Sequence, residues 1–343
     1  MSLSKEVKKA LSAYLLEKIS QGDEGLVRKT AENFGVTPAT VYKYLDALVE
    51  EGAICKIRRG EYALARSSFS VSLRRSEGQL VSEQDIYEDY LRGRLSALPE
   101  NVRQIWDCIS GEMINNIIDH SQAENVTVTL TSDRLNTSLL LTDDGVGIFE
   151  KIRAHFGFRD TEEALGELFK GKLTTDAAHH SGEGIFFSSR LADSFVIISS
   201  GKVFTRNRFD PDSLSDITAD SGEGSSLAAG GTTVYVTLSN SSKKTAADIF
   251  DEYADPDGGF TRTGIPVKDF FDSTPVSRSQ AKRLCNRLER FREVELDFEG
   301  ITWMGQGFAH QTFVVFAGEH PEVKLIPLNM CSDVEKMLRH VLS

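Results

Sequence analysis

The chain has 343 residues, 40% of them hydrophobic, and a formal net charge of -12 at pH 7. This length exceeds that of a typical single domain, and the apolar content suffices for several buried cores. The negative charge argues against a nucleic-acid-binding surface over the whole chain, but it allows a local basic face.

The sequence also indicates the cellular compartment and the oxidation state of the cysteines. No apolar run approaches the roughly 20 residues needed to span a bilayer, and the first five residues lack a signal-peptide core. We therefore expect a cytoplasmic protein without a membrane partner. Cys55, Cys108, Cys285 and Cys331 lie far apart in the chain, which favours reduced thiols over a zinc site or a disulfide framework.

The first 66 residues predict three helices and a hairpin. Amphipathic patterns over residues 7–19 and 25–33 indicate two helices. Thr37 and Pro38 have the residue types of an N-cap and a first helical position, so a third helix is expected to run through Glu51. Residues 53–64 alternate on both sides of Arg59 and Gly60, as in a short hairpin.

This segment resembles the winged helix-turn-helix domains of bacterial transcription regulators. The resemblance implies that the third helix enters the DNA major groove and that basic wing residues meet phosphates. The DNA contacts expected on this basis are Thr40, Tyr42, Lys43, Lys56, Arg58 and Arg59. Acidic and basic residues of the segment nearly cancel, so one copy would bind DNA modestly and a homodimer better. Protein docking is the alternative role of such a fold.

Residues 67–77 are rich in Ser and Arg and indicate a linker, and residues 81–98 have the pattern of a lead-in helix. We therefore place a linker and lead-in helix at 67–100, between a first domain at 1–66 and a second at 101–242. Within the second domain, residues 209–230 are rich in Asp, Ser and Gly and predict an exposed loop.

Four short polar signatures lie in this second domain. They are Glu112 to Asn116, Asp143 to Gly147, Ser181 to Gly184, and Gly230 to Thr233. The helical pattern over residues 101–120 makes Glu112 and Asn116 neighbours at i and i+4. An amide oxygen can ligate Mg2+, and a carboxylate one turn away can orient or deprotonate a water.

The other signatures fall at the ends of predicted elements. Asp143 ends a Leu-rich strand that begins at residue 136, where it can accept a hydrogen bond from an adenine amino group. Gly145 and Gly147 permit close backbone approach. Gly182 and Gly184 open a helix whose free N–H groups suit phosphate oxygens. Thr232 begins an alternating strand, where its hydroxyl can steady the base.

Taken in order, the four signatures resemble the ATP-binding domain of gyrase, mismatch-repair proteins, heat-shock chaperones and histidine kinases (the GHKL type). The resemblance implies an α/β sandwich of the Bergerat kind that binds ATP and Mg2+. It makes Glu112 the water-activating base, Asn116 the Mg2+ ligand and Asp143 the adenine acceptor. Residues 149–181 would be the lid. There Lys170 and Lys172 would reach the terminal phosphate, with a solvated lysine pair as the alternative. The expected nucleotide-binding set is Asn116, Asp143, Gly145, Gly147, Lys172, Gly182, Gly184 and Thr232.

The tail, residues 243–343, predicts a small α/β domain. Helices are expected at 277–291 and 332–342, and strands at 294–298 and 324–327. Residues 295–308 resemble STAS-like domains found beside such ATPases. In related domains a serine in the loop after the strand is phosphorylated, whereas Gly305 and Gln306 stand here. Phosphorylation of this domain is therefore disfavoured, and a regulatory protein partner is expected to bind it.

Two functions compete on this evidence. The first is a nucleotide-switched, DNA-binding transcription regulator with slow ATP hydrolysis. The alternative is a histidine-kinase-like or anti-sigma-like protein kinase that acts on a separate partner. A histidine kinase needs an acceptor histidine on a helix before the nucleotide domain, and residues 80–98 contain none. The sequence therefore favours the regulator.

Overall fold

A computed structural model describes residues 4–58, 60–172, 182–205, 230–255, 259–271 and 273–343. Arg59 of the predicted wing, residues 173–181 of the predicted lid and residues 209–229 of the predicted loop lie outside these ranges.

The N-terminal unit consists of three helices and a two-stranded hairpin. Helices α1, α2 and α3 span Lys5–Ser20, Leu26–Phe34 and Pro38–Glu50. Strands β1 (Ile54–Arg58) and β2 (Glu61–Leu64) pair antiparallel. Thr37 Oγ1 accepts a hydrogen bond from the Thr40 amide at 3.3 Å, so the predicted N-cap of α3 is confirmed. These elements enclose their own apolar core, centred on Leu11, Leu15, Val41 and Leu45.

The central unit is built on a six-stranded sheet in which every neighbouring pair of strands is antiparallel. Its spatial order is β3-β4-β5-β8-β6-β7. The strands are β3 (Ser67–Arg74), β4 (Asn125–Ser132), β5 (Asn136–Asp143), β6 (Ser194–Ser199), β7 (Lys202–Thr205) and β8 (Thr232–Ser239).

Helices cover one face of this sheet. They are α4 (Glu83–Ile86, continuing in wider turns to Leu95), α5 (Glu100–Asn116, continuing to Ser121), α6 (Ile148–Phe156), α7 (Thr161–Lys170), α8 (Gly184–Leu191) and α9 (Ala246–Tyr253). Inward-facing residues such as Leu139, Val236 and Phe195 meet Trp106 and Ile109 of α5 in the main core. The other face carries hydroxyl pairs between strands, for example Ser70 with Thr129 at 2.9 Å.

The linker predicted at residues 67–77 is wrong in part, because Ser67–Arg74 forms the edge strand β3. Its serines alternate with Phe69, Val71 and Leu73, and Leu73 is buried in the main core. This is the period-two pattern of a strand with one apolar face. The serines that indicate a linker by composition supply the polar face of this strand.

The C-terminal unit contains a parallel sheet in the order β11-β10-β9. Strands β9, β10 and β11 span Arg262–Pro266, Glu293–Asp297 and Lys324–Leu328. The helices are α10 (Val267–Phe270), α11 (Arg278–Cys285), α12 (Gln306–His310, continuing to Glu319) and α13 (Ser332–Leu342). The predicted helix at 277–291 ends at Cys285, and β9 was not predicted. The alternation of strands and helices is confirmed.

One main core runs through the central and C-terminal units, from Leu73 to Leu338, whereas the N-terminal core is separate. Leu135, in the turn between β4 and β5, packs against the N-terminal core. Among the described residues, no helix is long and apolar enough to cross a bilayer.

Candidate functional site

A cavity of about 240 Å³ lies between α5, α6, the start of α8 and the sheet. Its walls combine polar groups with apolar surface from Ile148, Phe186 and Val234. Residues from all four polar signatures line it, namely Glu112, Asn116, Asp143, Gly182, Gly184 and Thr232. The fold thus brings together segments that are up to 120 residues apart in the chain.

Helix α5 presents Glu112 and Asn116 to this cavity. Ile105, Ile109 and Met113 face the core, so the next stripe of the helix faces the cavity. A Cβ placed on Gly184 would lie 2.0 Å from Glu112 Oε2. The carboxylate therefore lies against the first residue of α8, at a distance that only glycine permits.

Asp143 ends β5 at the floor of the cavity and is only 5% exposed. Its Oδ1 accepts a hydrogen bond from the Gly145 amide at 2.8 Å. Burial raises the pKa of Asp143 to about 6, against the lowering effect of backbone donors at Gly145 and Thr232. A carboxylate held in an apolar wall with few donors is suited to accept a hydrogen bond from a ligand.

The glycines next to Asp143 shape this floor without lining the cavity. A Cβ on Gly145 would lie 2.1 Å from the Ser121 carbonyl oxygen, and one on Gly147 would lie 2.8 Å from Ser199 Oγ. Gly147 also has φ +79°, a left-handed conformation that favours glycine. The absence of a side chain at both residues therefore lets the segment after β5 pass close to the end of α5 and to β6.

Thr232, in the fourth signature, contacts the start of the helix that follows the second signature. Its Oγ1 accepts a hydrogen bond from the Ile148 amide at 3.1 Å, which fixes the start of α6. Beside it, a Cβ on Gly231 would lie 1.9 Å from the Asp143 carbonyl oxygen. The hydroxyl thus has a structural partner as well as a place in the cavity wall.

Lys172 lies outside the cavity lining. Its Nζ donates to the Arg290 carbonyl oxygen at 3.0 Å and stands 4.9 Å from the centre of the Phe291 ring. Burial lowers the pKa of this ammonium. Lys170 is 1% exposed and donates to Glu167 at 2.5 Å and to the carbonyl oxygens of Arg283 and Asn286 at 3.0 and 2.8 Å. Both lysines bind the C-terminal unit, and Gly171 between them lines the cavity.

Two basic residues of the cavity lie outside the predicted nucleotide-binding set. Lys151 and His120 both line it, and Lys151 Nζ donates to the His120 carbonyl oxygen at 2.7 Å. The signal in the sequence was the position of Lys151, one turn into the helix that begins after Gly147. His120 lies one turn beyond Asn116 along α5.

The residues predicted to contact DNA lie on the surface of the N-terminal unit. Tyr42 and Lys43 are exposed on α3, and Lys56 is exposed on β1. Thr40 is half-buried and shares a hydrogen bond with Thr37 Oγ1 at 3.0 Å. Arg58 forms an ion pair with Glu61 across the hairpin. The structure brings the helix and hairpin residues into one unit, and Arg59 is not among the described residues.

Comparison with known proteins identifies one region of the chain. Residues 280–335 match a family described as a STAS-like domain of unknown function (DUF4325). The match spans β10, β11, α12 and most of α11, and it confirms the resemblance seen at residues 295–308. No curated protein matches the chain. The chain is therefore a multidomain α/β protein with a STAS-like domain at its C-terminal end.

Proposed function

We propose that the protein binds ATP with Mg2+ in the cavity between α5 and α8 and that the bound nucleotide regulates the units around it. The observation that carries the proposal is the convergence of Glu112, Asn116, Asp143, Gly184 and Thr232 on one cavity. A buried acceptor, a metal-ligating amide and a glycine-lined helix start are the groups that an adenine, a Mg2+ ion and phosphates require.

The residues present fit such a ligand. Asp143 offers a buried acceptor with a raised pKa to the adenine amino group, and Asn116 offers an amide oxygen to Mg2+. Lys151, which lines the cavity, would supply a cation for phosphate oxygens. When bound, Mg2+ would neutralise charge on the phosphates. Glu112 would hold or deprotonate a water molecule, and the expected turnover is slow.

Calorimetry with purified variants tests this site. We expect Asp143→Asn to abolish ATP binding, because an amide cannot reproduce the carboxylate acceptor, and Glu112→Ala to retain binding and lose turnover. Asp107→Asn is the matched control, since Asp107 is an exposed carboxylate on α5 outside the cavity. Unchanged ATP affinity in Asp143→Asn would contradict the adenine role. Undiminished phosphate release by Glu112→Ala would remove the role of Glu112 as base.

We further propose that the N-terminal unit binds DNA and that ATP alters this binding. Support comes from Tyr42, Lys43 and Lys56, which are exposed beside a compact three-helix core. DNA fragments recovered with the protein should be enriched differently with and without ATP and Mg2+. Lys43→Glu with Lys56→Glu should weaken binding and flatten its salt dependence. An absence of DNA binding by the unaltered protein at low salt would contradict this part alone.

A further inference from the structure

A second and larger cavity, of about 810 Å³, is also bordered by α7. Glu162, Leu165 and Phe169 of α7 form one wall, the β6–β7 hairpin forms another, and the C-terminal unit forms the rest. Leu168 of the same helix lines the first cavity. The two cavities thus both border α7, and they share none of their lining residues.

The C-terminal wall is the end of the parallel sheet at which ligands of open α/β sheets commonly bind. Lys268 follows β9, and Gly300 and Thr302 follow β10. A Cβ on Gly300 would lie 3.1 Å from Lys268 Nζ, so the ammonium stands over the turn after β10. Lys268 is exposed and has no acidic partner among the described residues.

The second cation of this cavity is Arg283 of α11. Its Nε is buried and has no hydrogen-bond partner within the described part of the chain. The backbone amide of Glu163 is the main cause that lowers the pKa of Asp160, and Arg159 and Arg283 add to it; the carboxylate pairs with Arg159 at 3.0 Å. Arg283 also lines the cavity, so its side chain can offer a second positive charge to an anionic ligand there.

The cations of the cavity lining outnumber its carboxylates. Among the described residues, three cations, Lys202, Lys268 and Arg283, line it with two carboxylates, Glu162 and Asp269, and Glu162 accepts from Lys202 Nζ at 2.7 Å. The lining therefore has an excess of one positive charge in a chain whose net charge is -12. Electrostatic selection in this cavity favours anions.

The remaining lining indicates what the anion is attached to. Phe169, Phe271 and Ile301 offer apolar surface, and Ser273 and Thr274 offer hydroxyls at the rim. We infer that this cavity is a second binding site, which takes a small organic anion with a phosphate headgroup on an apolar body. Lys268 and Arg283 bind the headgroup, and the aromatic wall holds the body.

Phenyl phosphate is a suitable probe, with phenol and inorganic phosphate as the two halves of the ligand. In calorimetric titrations of the full chain, phenyl phosphate should bind more tightly than inorganic phosphate, and phenol should not bind. Lys268→Gln and Arg283→Gln should each weaken phenyl phosphate by about tenfold or more, because each removes a charge-assisted contact. Lys243→Gln, which removes an exposed lysine outside the cavity, should leave the affinity unchanged.

Saturating ATP and Mg2+ should not displace phenyl phosphate, and Asp143→Asn should still bind it, since the first cavity is a different site. This arm separates the second site from the proposed nucleotide site. Circular dichroism would show that Arg283→Gln remains folded, and the exposed Lys268 provides a variant without that concern. Equal affinity in Lys268→Gln and the unaltered protein, competition by ATP, or no binding of phenyl phosphate would each overturn the second site.

Discussion

Asp143 illustrates how the surroundings of a residue, more than its identity, suit it to bind a ligand. Its neighbour Asp144 also follows β5, yet Asp144 Oδ1 accepts from the amides of Glu124 and Asn125 at 2.9 Å each. Those donors hold the pKa of Asp144 below its ordinary value, whereas burial raises the pKa of Asp143 to about 6. The two adjacent carboxylates therefore have opposite roles, one structural and one available to a ligand.

The pH dependence of ligand binding follows from this raised pKa. In the proposed site the adenine amino group would donate to the ionised carboxylate, so we expect adenosine affinity to fall about tenfold per unit as pH drops below about 6. Adenosine is the ligand for this measurement, because the phosphates of ATP also titrate near pH 6 and would add a pH dependence of their own. Calorimetry one unit above and one unit below the pKa checks this, and equal affinities would contradict the acceptor role.

The free energy of unfolding should also depend on pH through Asp143, in the direction set by its raised pKa. The folded-state pKa of Asp143, about 6, lies above the ordinary value of 3.8, so the folded state binds the proton more tightly than the unfolded state. Its contribution to the free energy of unfolding is therefore lost as pH rises from 3.8 to about 6, by roughly 3 kcal/mol in all. Denaturant titrations of the unaltered protein and Asp143→Asn should differ in this window, with less pH dependence in the variant.

Two adjacent glycines provide a matched test of the cavity floor. Gly231 has φ +84° and its Cβ would lie 1.9 Å from the Asp143 carbonyl oxygen, whereas a Cβ on Gly230 meets nothing within 4 Å. Gly231→Ala should lower the free energy of unfolding by about 2 kcal/mol or more and displace Asp143. Gly230→Ala should change it by less than about 1 kcal/mol. Equal stability of the two variants in urea unfolding would contradict the described close approach.

At the scale of elements, the sequence predicts well what local patterns control. The helices α1 to α3, the strand that carries Asp143 and the helix after Gly184 follow from periodicity and capping residues. Strand β3 was missed because its pairing partner β4 lies some 60 residues away along the chain. Lys172 was assigned to the cavity from its position in the chain, but its contacts depend on packing against the C-terminal unit.

Arg75 makes contacts with residues distant along the chain, and these contacts support the site. It lies just after β3 and donates to the carbonyl oxygens of Ala123 and Ile118 at 2.8 and 3.0 Å. These contacts satisfy carbonyl groups at the end of the helical segment that carries Glu112 and Asn116. The edge strand therefore fixes the helix that faces the cavity.

We expect Arg75→Ala to lower the free energy of unfolding by about 2 kcal/mol, because half-buried carbonyl groups lose a charged donor. Arg74→Ala is the control, since Arg74 is exposed and its side chain forms an ion pair with Glu77 at 3.5 Å. That change should cost less than about 1 kcal/mol. Urea unfolding of both variants measures the difference, and a similar loss for Arg74→Ala would argue against a special role for Arg75.

At the scale of the whole molecule, the proposed nucleotide site lies next to the C-terminal unit and far from the N-terminal unit. Gly171 and Phe186 line the cavity, and the Phe186 ring centre is 4.4 Å from that of Phe260, which in turn is 5.4 Å from Phe291. The N-terminal core instead meets Leu135, at the opposite end of β5 from Asp143. A ligand in the cavity would therefore act first on the C-terminal unit.

The contact between the central and C-terminal units can be tested at Lys170. Lys170→Met leaves Glu167 buried with one remaining ion pair among the described residues, to Arg287 at 3.6 Å, and should cost roughly 3–5 kcal/mol. Adding Glu167→Gln should recover part of that loss, because the uncompensated charge is removed. Lys172→Met, which removes one carbonyl contact at a partly exposed position, should cost about 1 kcal/mol. Thermal unfolding of the unaltered protein, Lys170→Met, Glu167→Gln and the double variant measures the coupling, and strictly additive losses would contradict the coupled pair.

The apolar core is continuous across the central and C-terminal units, so the STAS-like domain cannot be separated from the central unit without exposing part of that core. Residues 280–335 match a family of domains, but Phe260, Phe291 and Leu284 share one apolar interior with Phe186 and Trp106 of the central unit. Cutting the chain between the units would expose these aromatic faces to water. A calorimetric scan should therefore show both units melting in one cooperative transition, with the N-terminal unit free to melt separately.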